Sequence, residues 1–535
     1  MKRVLAILAV SILPAATAGA VLPGRVMGEI PAPGRNVTGL TYGKGLVWAA
    51  DHRTDTIVGI DASGKVVRSF KSPGYRPAGL AFDGRQLWNV DVLQARLFRI
   101  DPDSGLVTRS VPSPVQRPRC LAWDGKALWL SDDAGRTIHR VDPEDGTTIR
   151  EVPFPSKSVD GLAWDGRYLW IADRLADKLL VMDTDHGEVL FSVNAPGPHA
   201  SGLAFDGRML RVADYQTDRI ASVARNGDEF LLVEKEKKLW VTFTHQLRNF
   251  GPDELVDVEV MLAVPHDSGY QAIGQLRFEP EPAEYRVDRW GQKVAVFRFP
   301  RLAAPGKTEI DMIARVQTQR MWFLFYPEQV KPLSRIPRSI RQRYLVDEPK
   351  YDIRNPVIRR AVAEAVGRER NPYWIVRGIL RHIHRRMHYE RIGGWDVAPK
   401  VLERGSGSCS EYSYVMISMC RAAGVPARYV GSLVVRKDKA SYDDVFHRWV
   451  EVYLPGIGWV PVDPSRGDKP TEAERADSFG KVTADFLVTT EGGGGSEFLG
   501  WNYNYNERYK CRGRCRVEVE PIAEWSPEPP GKSGK

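Results

Sequence analysis

Residues 405–430 read GSGSCSEYSYVMISMCRAAGVPARYV, and residues 446–465 read FHRWVEVYLPGIGWVPVDPS. The first stretch predicts a helix beginning at Cys409, because Ser408 and Glu411 have the S-x-x-E spacing of a capping box. A cysteine at the first helical position lies at the positive end of the helix dipole, which lowers the pKa of a thiol. The free N–H groups of such a first turn can also donate to an oxyanion.

The second stretch predicts two strands joined by a turn. The first strand opens at His447, whose side chain shares a face with Trp449, and the second ends at Asp463. With a four-residue turn, a simple hairpin sets Val450 rather than His447 opposite Asp463, so we expect a bulge or a longer turn. A thiol, an imidazole and a carboxylate in this order are the parts of a nucleophilic acyl-transfer site, which predicts a triad of Cys409, His447 and Asp463.

These motifs resemble the transglutaminase-like core, a papain-type cysteine-enzyme fold. The resemblance is carried by RAAGVPARYV after the cysteine, by H-x-W-V-E-V at His447 and by W-V-P-V-D-P around Asp463. Two helical patterns precede the cysteine, as in members of that family. The resemblance implies that Cys409 is the nucleophile, His447 the base and Asp463 the group that orients the imidazole. It spans about 351–466, and it indicates the fold and the triad more than the substrate.

Aromatic residues around the triad are candidates for a substrate cleft. Tyr389, Trp395 and Trp449 are the three that we select. The aromatic and polar stretch 501–505 is either an edge strand of the core or one wall of that cleft.

The N-terminal half is periodic. Five copies of a short motif are spaced by 40, 41, 41 and 41 residues, and four short strands per unit are typical of β-propeller blades. The copies begin at Gly39, Gly79, Cys120, Gly161 and Gly202. Residues 25–30 resemble the fourth strand of a blade, so we expect them to pair with 219–223 and close a five-bladed ring. If 226–230 is instead the last fourth strand, the closure differs.

The predicted organisation is therefore multidomain. It comprises a signal peptide (1–20), a propeller (21–229), an immunoglobulin-like β-sandwich (230–320), a linker (321–350), an α+β transglutaminase-like core (351–525) and a disordered tail (526–535).

The composition suggests where the chain acts. The N-terminus carries two basic residues, an apolar run and an A-x-A cleavage site, which predicts export to a secreted or periplasmic location, and no membrane span is expected after its removal. The formal net charge is +9, with acidic and basic residues mixed. Basic runs at 335–343 and 377–391 are expected on solvated surfaces, with attraction to anionic cell-envelope polymers as a weaker alternative. No pattern for nucleic-acid binding is present.

Five cysteines are present. Cys511 and Cys515 flank a glycine turn and predict a short disulfide, with metal binding as the alternative. Cys120 and Cys420 are expected to be structural. No cofactor or metal is predicted.

Three functions fit these features. The first is a secreted cysteine enzyme that cleaves amide bonds of proteins or peptides, or transfers the acyl group to an amine as a cross-linking transglutaminase, with the propeller binding substrate or a protein partner. The second is a non-catalytic envelope scaffold whose propeller recognises a ligand. The third places an active site in the propeller channel, but the histidines occupy no common repeat position. These histidines are His52, His139, His186 and His199.

Overall fold

The computed structural model of the protein describes residues 21–391, 395–435, 441–467 and 469–529. The predicted signal peptide and most of the predicted tail lie outside these ranges. The described residues divide into two compact units, one of 21–231 with 469–477 and one of 232–467 with 478–529. The predicted fold class is confirmed: a propeller, a β-sandwich and an α+β transglutaminase-like core. No described helix is long and apolar enough to cross a membrane.

The first unit contains five antiparallel four-stranded sheets, one for each repeat. Their strands are β1 (Val26–Pro31), β2 (Val37–Gly43), β3 (Leu46–Asp51), β4 (Thr56–Ile60), β5 (Val66–Lys71), β6 (Pro77–Phe82), β7 (Leu87–Asp91), β8 (Arg96–Ile100), β9 (Val107–Pro112), β10 (Pro118–Trp123), β11 (Leu128–Asp132), β12 (Thr137–Val141), β13 (Thr148–Pro153), β14 (Gly161–Trp164), β15 (Leu169–Asp173), β16 (Lys178–Asp183), β17 (Glu188–Asn194), β18 (Ala200–Phe205), β19 (Met209–Asp214) and β20 (Arg219–Ala224).

The N-terminal strand closes the ring. Strand β1 pairs antiparallel with β20, with Glu29 opposite Ala221 and Ile30 opposite Ile220. The fifth sheet is therefore made from both ends of the propeller sequence, in the order β1-β20-β19-β18. This is the predicted closure, and residues 226–230 form no strand of that sheet.

Close packing of neighbouring blades explains the glycine of the repeat. A Cβ at Gly39 would lie 2.3 Å from the carbonyl oxygen of Ala78, and one at Gly79 would lie 2.4 Å from the backbone nitrogen of Leu121. Both distances are far inside van der Waals contact, so a side chain would push the innermost strands apart. Cys120 occupies this position in the third blade, where its thiol is buried.

The second unit contains a β-sandwich of two sheets. The strands are β21 (Leu231–Pro252), β22 (Leu255–Ala263), β23 (Gln271–Glu279), β24 (Glu284–Val287), β25 (Lys293–Leu302), β26 (Gly306–Phe323), β30 (Ser441–Asp443), β33 (Lys481–Val482), β35 (Tyr505–Cys511) and β36 (Cys515–Ser526). The strand order of one sheet is β23-β26-β21-β36-β30, with β33 pairing with β26, and that of the other sheet is β24-β25-β22-β35.

The C-terminal hairpin corrects the predicted boundaries, which placed residues up to 525 in the catalytic core. Strand β35 pairs with β22, and β36 pairs with β21 over most of its length. The reason is the alternation in β36: Val517 and Val519 pack against the sandwich core, while Arg516 and Glu518 form an ion pair on the other face. A strand in which apolar and polar residues alternate has one apolar face to bury, and the core of the sandwich buries it here.

The α+β core lies between β26 and β35 in the sequence. Its helices are α1 (Arg338–Tyr344), α2 (Pro356–Val366), α3 (Pro372–Arg386), α4 (Ala398–Arg404) and α5 (Cys409–Ala422), and its sheet has the order β32-β31-β29-β34, with a small parallel pair β27-β28. These strands are β27 (His388–Tyr389), β28 (Ser406–Gly407), β29 (Ala427–Val434), β31 (His447–Leu454), β32 (Gly458–Val462) and β34 (Phe486–Gly492).

Asparagine caps start two of the helices. Asn355 accepts the N–H of Val357, and Asn371 accepts the N–H of Tyr373, each before a proline at the first helical position. The basic run on α3 is only partly solvated, since Arg377 is buried against Phe479. The predicted linker is also packed, with Phe325 and Tyr326 buried.

One short helix of the C-terminal half belongs to the propeller unit. In α6 (Glu472–Ala476), the N–H of Ala473 donates to the carbonyl of Pro155 at 2.8 Å, and Ala476 is buried in the core of the third and fourth blades. The chain therefore returns to the propeller shortly after Asp463.

Candidate active site

Cys409 is the first residue of α5 and is buried, with 7% of its surface exposed. One half of the predicted capping box is present: the carboxylate of Glu411 accepts the N–H of Ser408 at 3.0 Å, whereas the hydroxyl of Ser408 has no hydrogen-bond partner among the described residues. Arg404 in turn holds Glu411 at 2.8 Å. The cap fixes the first turn of the helix, so the sulfur is held at the positive end of the helix dipole.

His447 opens β31 and lies beside both other members of the predicted triad. Its Nε2 lies 2.8 Å from Oδ2 of Asp463. The Cys409 thiol lies beside the imidazole, since each group shifts the pKa of the other, and its sulfur lies 4.0 Å from the carbonyl oxygen of Phe446, the residue before His447. Because Asp463 occupies Nε2, the ring nitrogen that remains for the thiol is Nδ1. The structure thus brings the three side chains together, with a hydrogen bond between His447 and Asp463 and the Cys409 thiol beside the same imidazole.

The hairpin that joins His447 to Asp463 differs from the prediction by one residue. Leu454 pairs with Gly458 and Val450 pairs with Val462, so the loop has three residues rather than four. If this register continues for one more pair, Asp463 lies opposite Trp449. His447 is two residues before Trp449 on the same face of the strand, so it is a diagonal neighbour of Asp463. A diagonal neighbour is within reach of an imidazole and a carboxylate, so the bulge or longer turn that we predicted is not needed.

Asp463 is fixed by several donors. It caps a short 3-10 helix (Pro464–Arg466), accepting the hydroxyl of Ser465 at 2.6 Å, and Arg466 lies 3.0 Å away. Burial opposes its charge, but His447, followed by Arg466 and Ser465, holds the pKa of Asp463 well below its usual range. The carboxylate therefore stays ionised and keeps its partner oriented.

The electrostatics of His447 and Cys409 favour an ion pair. Burial by itself lowers the pKa of His447, but the charge and hydrogen bond of Asp463, with Cys409, raise it to about 10. Burial also opposes a thiolate at Cys409. The hydrogen bond and charge of His447, and then the backbone N–H and charge of Arg448, nevertheless lower the pKa of that thiol. Opposite charges within hydrogen-bonding distance stabilise each other in this way.

Arg448 is a second cation at the site and was not predicted. Its side chain is fully buried, donating to the hydroxyl of Tyr414 at 2.8 Å and to the carbonyl of Trp501 at 2.7 Å. Four aromatic rings surround the guanidinium at 4.3–5.6 Å, those of Tyr503, Tyr429, Tyr414 and Trp395. Within the described part of the chain it has no carboxylate partner.

The predicted aromatic residues have different surroundings. Tyr389 is 39% exposed and lies near Cys409, because burial and then the charge of Cys409 raise the pKa of its hydroxyl. Trp395 lines a cavity of about 610 Å³ together with Lys350, Trp501 and Asn502. Of the stretch 501–505, Trp501 and Asn502 thus line this cavity, while Tyr505 begins strand β35.

Trp449 is not a cleft residue. It is 2% exposed, and its ring packs on Phe486 at 5.1 Å and on the imidazole of His447 at 6.0 Å. Phe486 also stacks on His447, at 5.5 Å. The prediction failed because the rings of Tyr270 and Phe486 pack on Trp449 and bury it. Trp449 and Phe486 instead stack on the imidazole of His447 and fix the orientation of its ring.

The remaining cysteines are separate from the site. Cys511 and Cys515 are disulfide-bonded across the β35–β36 hairpin, with Cα atoms 6.0 Å apart. Cys120 and Cys420 are free and buried. Burial raises the pKa of Cys120 to about 12 and that of Cys420 further still. Among the described residues, no cluster of histidine, cysteine and carboxylate side chains is placed to bind a metal ion.

Comparison with known proteins agrees with this geometry. Residues 359–464 match the family model of the Transglutaminase-like superfamily. The chain is 34% identical over 77 residues to the uncharacterized protein YebA of Bacillus subtilis, covering 12% of this chain and only 10% of YebA. It is 22% identical over 272 residues to an uncharacterized protein of Haemophilus influenzae, covering 45% of this chain and 72% of that protein.

A solved structure of a candidate cysteine protease from Cytophaga hutchinsonii is 15% identical, with a TM-score of 0.39, and covers 54% of this chain and 93% of that one. The family match falls on the helices and strands that carry Cys409 and His447, and it ends one residue after Asp463. Residues 359–464 thus form a domain of the transglutaminase-like superfamily.

Proposed function

We propose that this protein is a cysteine amidase or peptidase that acts outside the cytoplasm on proteins or peptides. The observation that carries the proposal is the hydrogen bond between His447 and Asp463, with 2.8 Å between Nε2 and Oδ2, and the Cys409 thiol beside the same imidazole. A buried thiol paired with an imidazole that a carboxylate orients is the arrangement that acyl transfer requires.

In the proposed reaction, the Cys409 thiolate attacks the carbonyl carbon of an amide and forms a tetrahedral intermediate. N–H groups at the start of α5 are oriented to stabilise the oxyanion. The His447 imidazolium gives its proton to the nitrogen as the C–N bond breaks, and the amine leaves. Water then gives a proton to His447 and attacks the thioester, which releases a carboxylic acid and restores the thiol.

The surroundings of the triad support a polypeptide substrate. The cavity beside Trp395 and Trp501 adjoins the Arg448 cluster, because both tryptophans contact that arginine. Its lining combines aromatic faces with the amides of Asn502 and Asn506, a mixture that suits a peptide side chain and its backbone. We assign this cavity to substrate binding.

Export is supported by the N-terminal sequence and by the Cys511–Cys515 disulfide, since disulfides persist in oxidising compartments. Cell fractionation tests this part of the proposal. We expect the protein in the periplasmic or extracellular fraction, and recovery in the cytoplasm alone would contradict it.

The reaction is tested by incubating the full chain with cell-envelope polypeptides in water labelled with oxygen-18. Hydrolysis predicts new carboxyl groups that carry the label, formed by the wild type and by a Cys420→Ala control but not by Cys409→Ala. Incorporation of an added amine in place of the label would show transamidation instead. No product that depends on Cys409 would overturn the proposal.

A further inference from the structure

The propeller contains a cavity of about 880 Å³ at one end of its axis. Every blade contributes the residue that follows the aspartate ending its second strand. These residues are His52, Val92, Asp133, Arg174 and Tyr215. The volume is in the range of small-molecule sites, and each wall comes from a different repeat.

The cavity is closed below, where the innermost strands meet. Only about 10 Å³ of space remains among the residues around Gly39, Gly79, Cys120, Gly161 and Gly202. The glycines permit this closure, because side chains there would meet the neighbouring strand. The cavity is therefore a cup that opens on one side.

Two arginines at the base of the cup have acidic partners. Arg119 lies 2.7 Å and Arg174 3.1 Å from Oδ1 of Asp160, whose side chain is fully buried. Arg119 also pairs with Asp133 at 3.1 Å. Two carboxylates thus balance two guanidiniums and hold them in place.

Two further arginines line the cavity without an acidic partner among the described residues. Arg76 and Arg117 line the cavity and are exposed. No carboxylate partner of either lies in the described part of the chain. The carboxylate oxygens of Asp91 accept the backbone N–H groups of Arg76 and Gln94, at 2.5 and 2.8 Å.

The other walls offer aromatic contact and an open hydrogen-bonding site. His199 packs against Tyr215 with ring centroids 5.3 Å apart. Arg174 lies 3.2 Å from Nε2 of His199, so that nitrogen is the acceptor of the pair. Nδ1 of His52 is buried and has no partner among the described residues.

We propose that this cup binds a small oxyanion-bearing ligand, a carboxylate or a phosphate, between Arg76 and Arg117. The paired arginines form a fixed polar base, the unpaired arginines supply net positive charge, and the His199–Tyr215 pair contacts the body of the ligand. Guanidinium forks match carboxylate and phosphate oxygens. The site lies wholly within the propeller unit and does not depend on the proposed acyl transfer.

Calorimetric titration of the full chain with succinate, inorganic phosphate and neutral succinamide tests the proposal. We expect at least one of the anions to bind, more weakly as ionic strength rises, and succinamide not to bind. Arg76→Gln combined with Arg117→Gln should weaken anion binding about tenfold for each guanidinium removed.

The matched control is Arg85→Gln combined with Arg208→Gln, which removes two exposed arginines from the first hairpin turns of blades in the same ring. It should leave the affinity unchanged. Binding by neither anion, equal binding of succinamide, or equal loss in both double variants would overturn the proposal. Amide hydrolysis by the Arg76 and Arg117 variant on substrates without an acidic group should persist, which separates this test from that of Cys409.

Discussion

At the residue scale, Arg448 is a buried cation beside Cys409. The described residues provide it with no carboxylate, although Asp463 has both His447 and Arg466 as cationic partners. A buried charge without a partner is costly. An ionised Cys409 thiol places a negative charge near Arg448, so each of the two charges stabilises the other.

This account makes a prediction for Arg448. Arg448→Gln should raise the pKa of the Cys409 thiol by on the order of one unit or more, because a positive charge that stabilises the thiolate is removed. Arg448→Lys keeps the positive charge and should shift the pKa much less. Thiolate absorbance in the ultraviolet, followed against pH, measures both variants. Equal shifts would show that Arg448 acts through packing rather than charge.

The thiols should differ sharply in reactivity. The pKa of Cys409 is lowered, so a larger fraction of this thiol is ionised than of a free cysteine, while burial raises the pKa of Cys120 and of Cys420. Iodoacetamide at neutral pH should label Cys409 first, as quantified by peptide mass spectrometry. The rate should fall as pH drops below the lowered pKa of this thiol. Labelling of Cys409 no faster than of a free thiol would remove the case for an activated cysteine.

Turnover should also decline in alkali. The imidazolium of His447 protonates the leaving amine, and its pKa is raised to about 10. Its proton is therefore present below that pH and is lost above it. With the thiolate requirement on the acid side, a bell-shaped profile of kcat/KM is expected. A rate that keeps rising beyond pH 10 would exclude His447 as the acid.

At the scale of secondary-structure elements, the β31–β32 hairpin decides which carboxylate meets His447. Asp443 lies on β30 in the sandwich sheet, and its oxygens accept the N–H groups of Val434 and Val445. Asp444 is exposed, and Asp468 lies outside the described residues. Asp463 alone among these four is shown at hydrogen-bonding distance from the imidazole.

Replacement of Asp463 should therefore affect catalysis more than folding. Asp463→Asn should lower kcat by about 10²–10⁴, because the imidazole loses both its tautomer and its counter-charge. Asp443→Asn, Asp444→Asn and Asp468→Asn are the comparison set, measured on the same amide substrate with thermal unfolding as a check. Near-normal turnover in Asp463→Asn, with loss in another variant, would contradict the assignment.

The sequence predicted the elements that local signals define and missed those that tertiary packing defines. The S-x-x-E cap located the start of α5, and the repeats located the blades. The hairpin register was wrong by one residue, because nothing local distinguishes a three-residue loop from a four-residue loop when Gly456 and Gly458 both adopt positive φ. Arg448 was missed because the alternation of side chains along a strand indicates which face a residue is on. It does not indicate that aromatic rings from other parts of the chain pack on that face.

At the scale of the whole molecule, the course of the chain explains the error in the domain boundaries. Strands β35 and β36 complete the sandwich, although the core separates them from its other strands in sequence. Segment 469–477 likewise joins the propeller unit. Such returns depend on which apolar face is left uncovered, and this is a property of the folded structure rather than of any short stretch.

Closure of the propeller by β1 can be tested by removing a ladder hydrogen bond. Gly28 and Glu29 are adjacent exposed residues of β1, so one of their N–H groups faces β20. Of Gly28→Pro and Glu29→Pro, at least one should destabilise the propeller by roughly 1–3 kcal/mol, whereas Glu29→Lys should not. Calorimetric unfolding measures this. If neither proline lowers the melting temperature, the pairing of β1 with β20 does not stabilise the ring.

The most direct test of the central claim is to detect the acyl-enzyme. The full chain is incubated with envelope polypeptides, quenched in acid during turnover and mapped by peptide mass spectrometry. We predict a thioester-linked acyl adduct on Cys409 that hydroxylamine removes, with Cys120 and Cys420 unmodified, and none in Cys409→Ala. Amide cleavage without any adduct on Cys409, or an adduct whose formation does not require His447, would contradict the account.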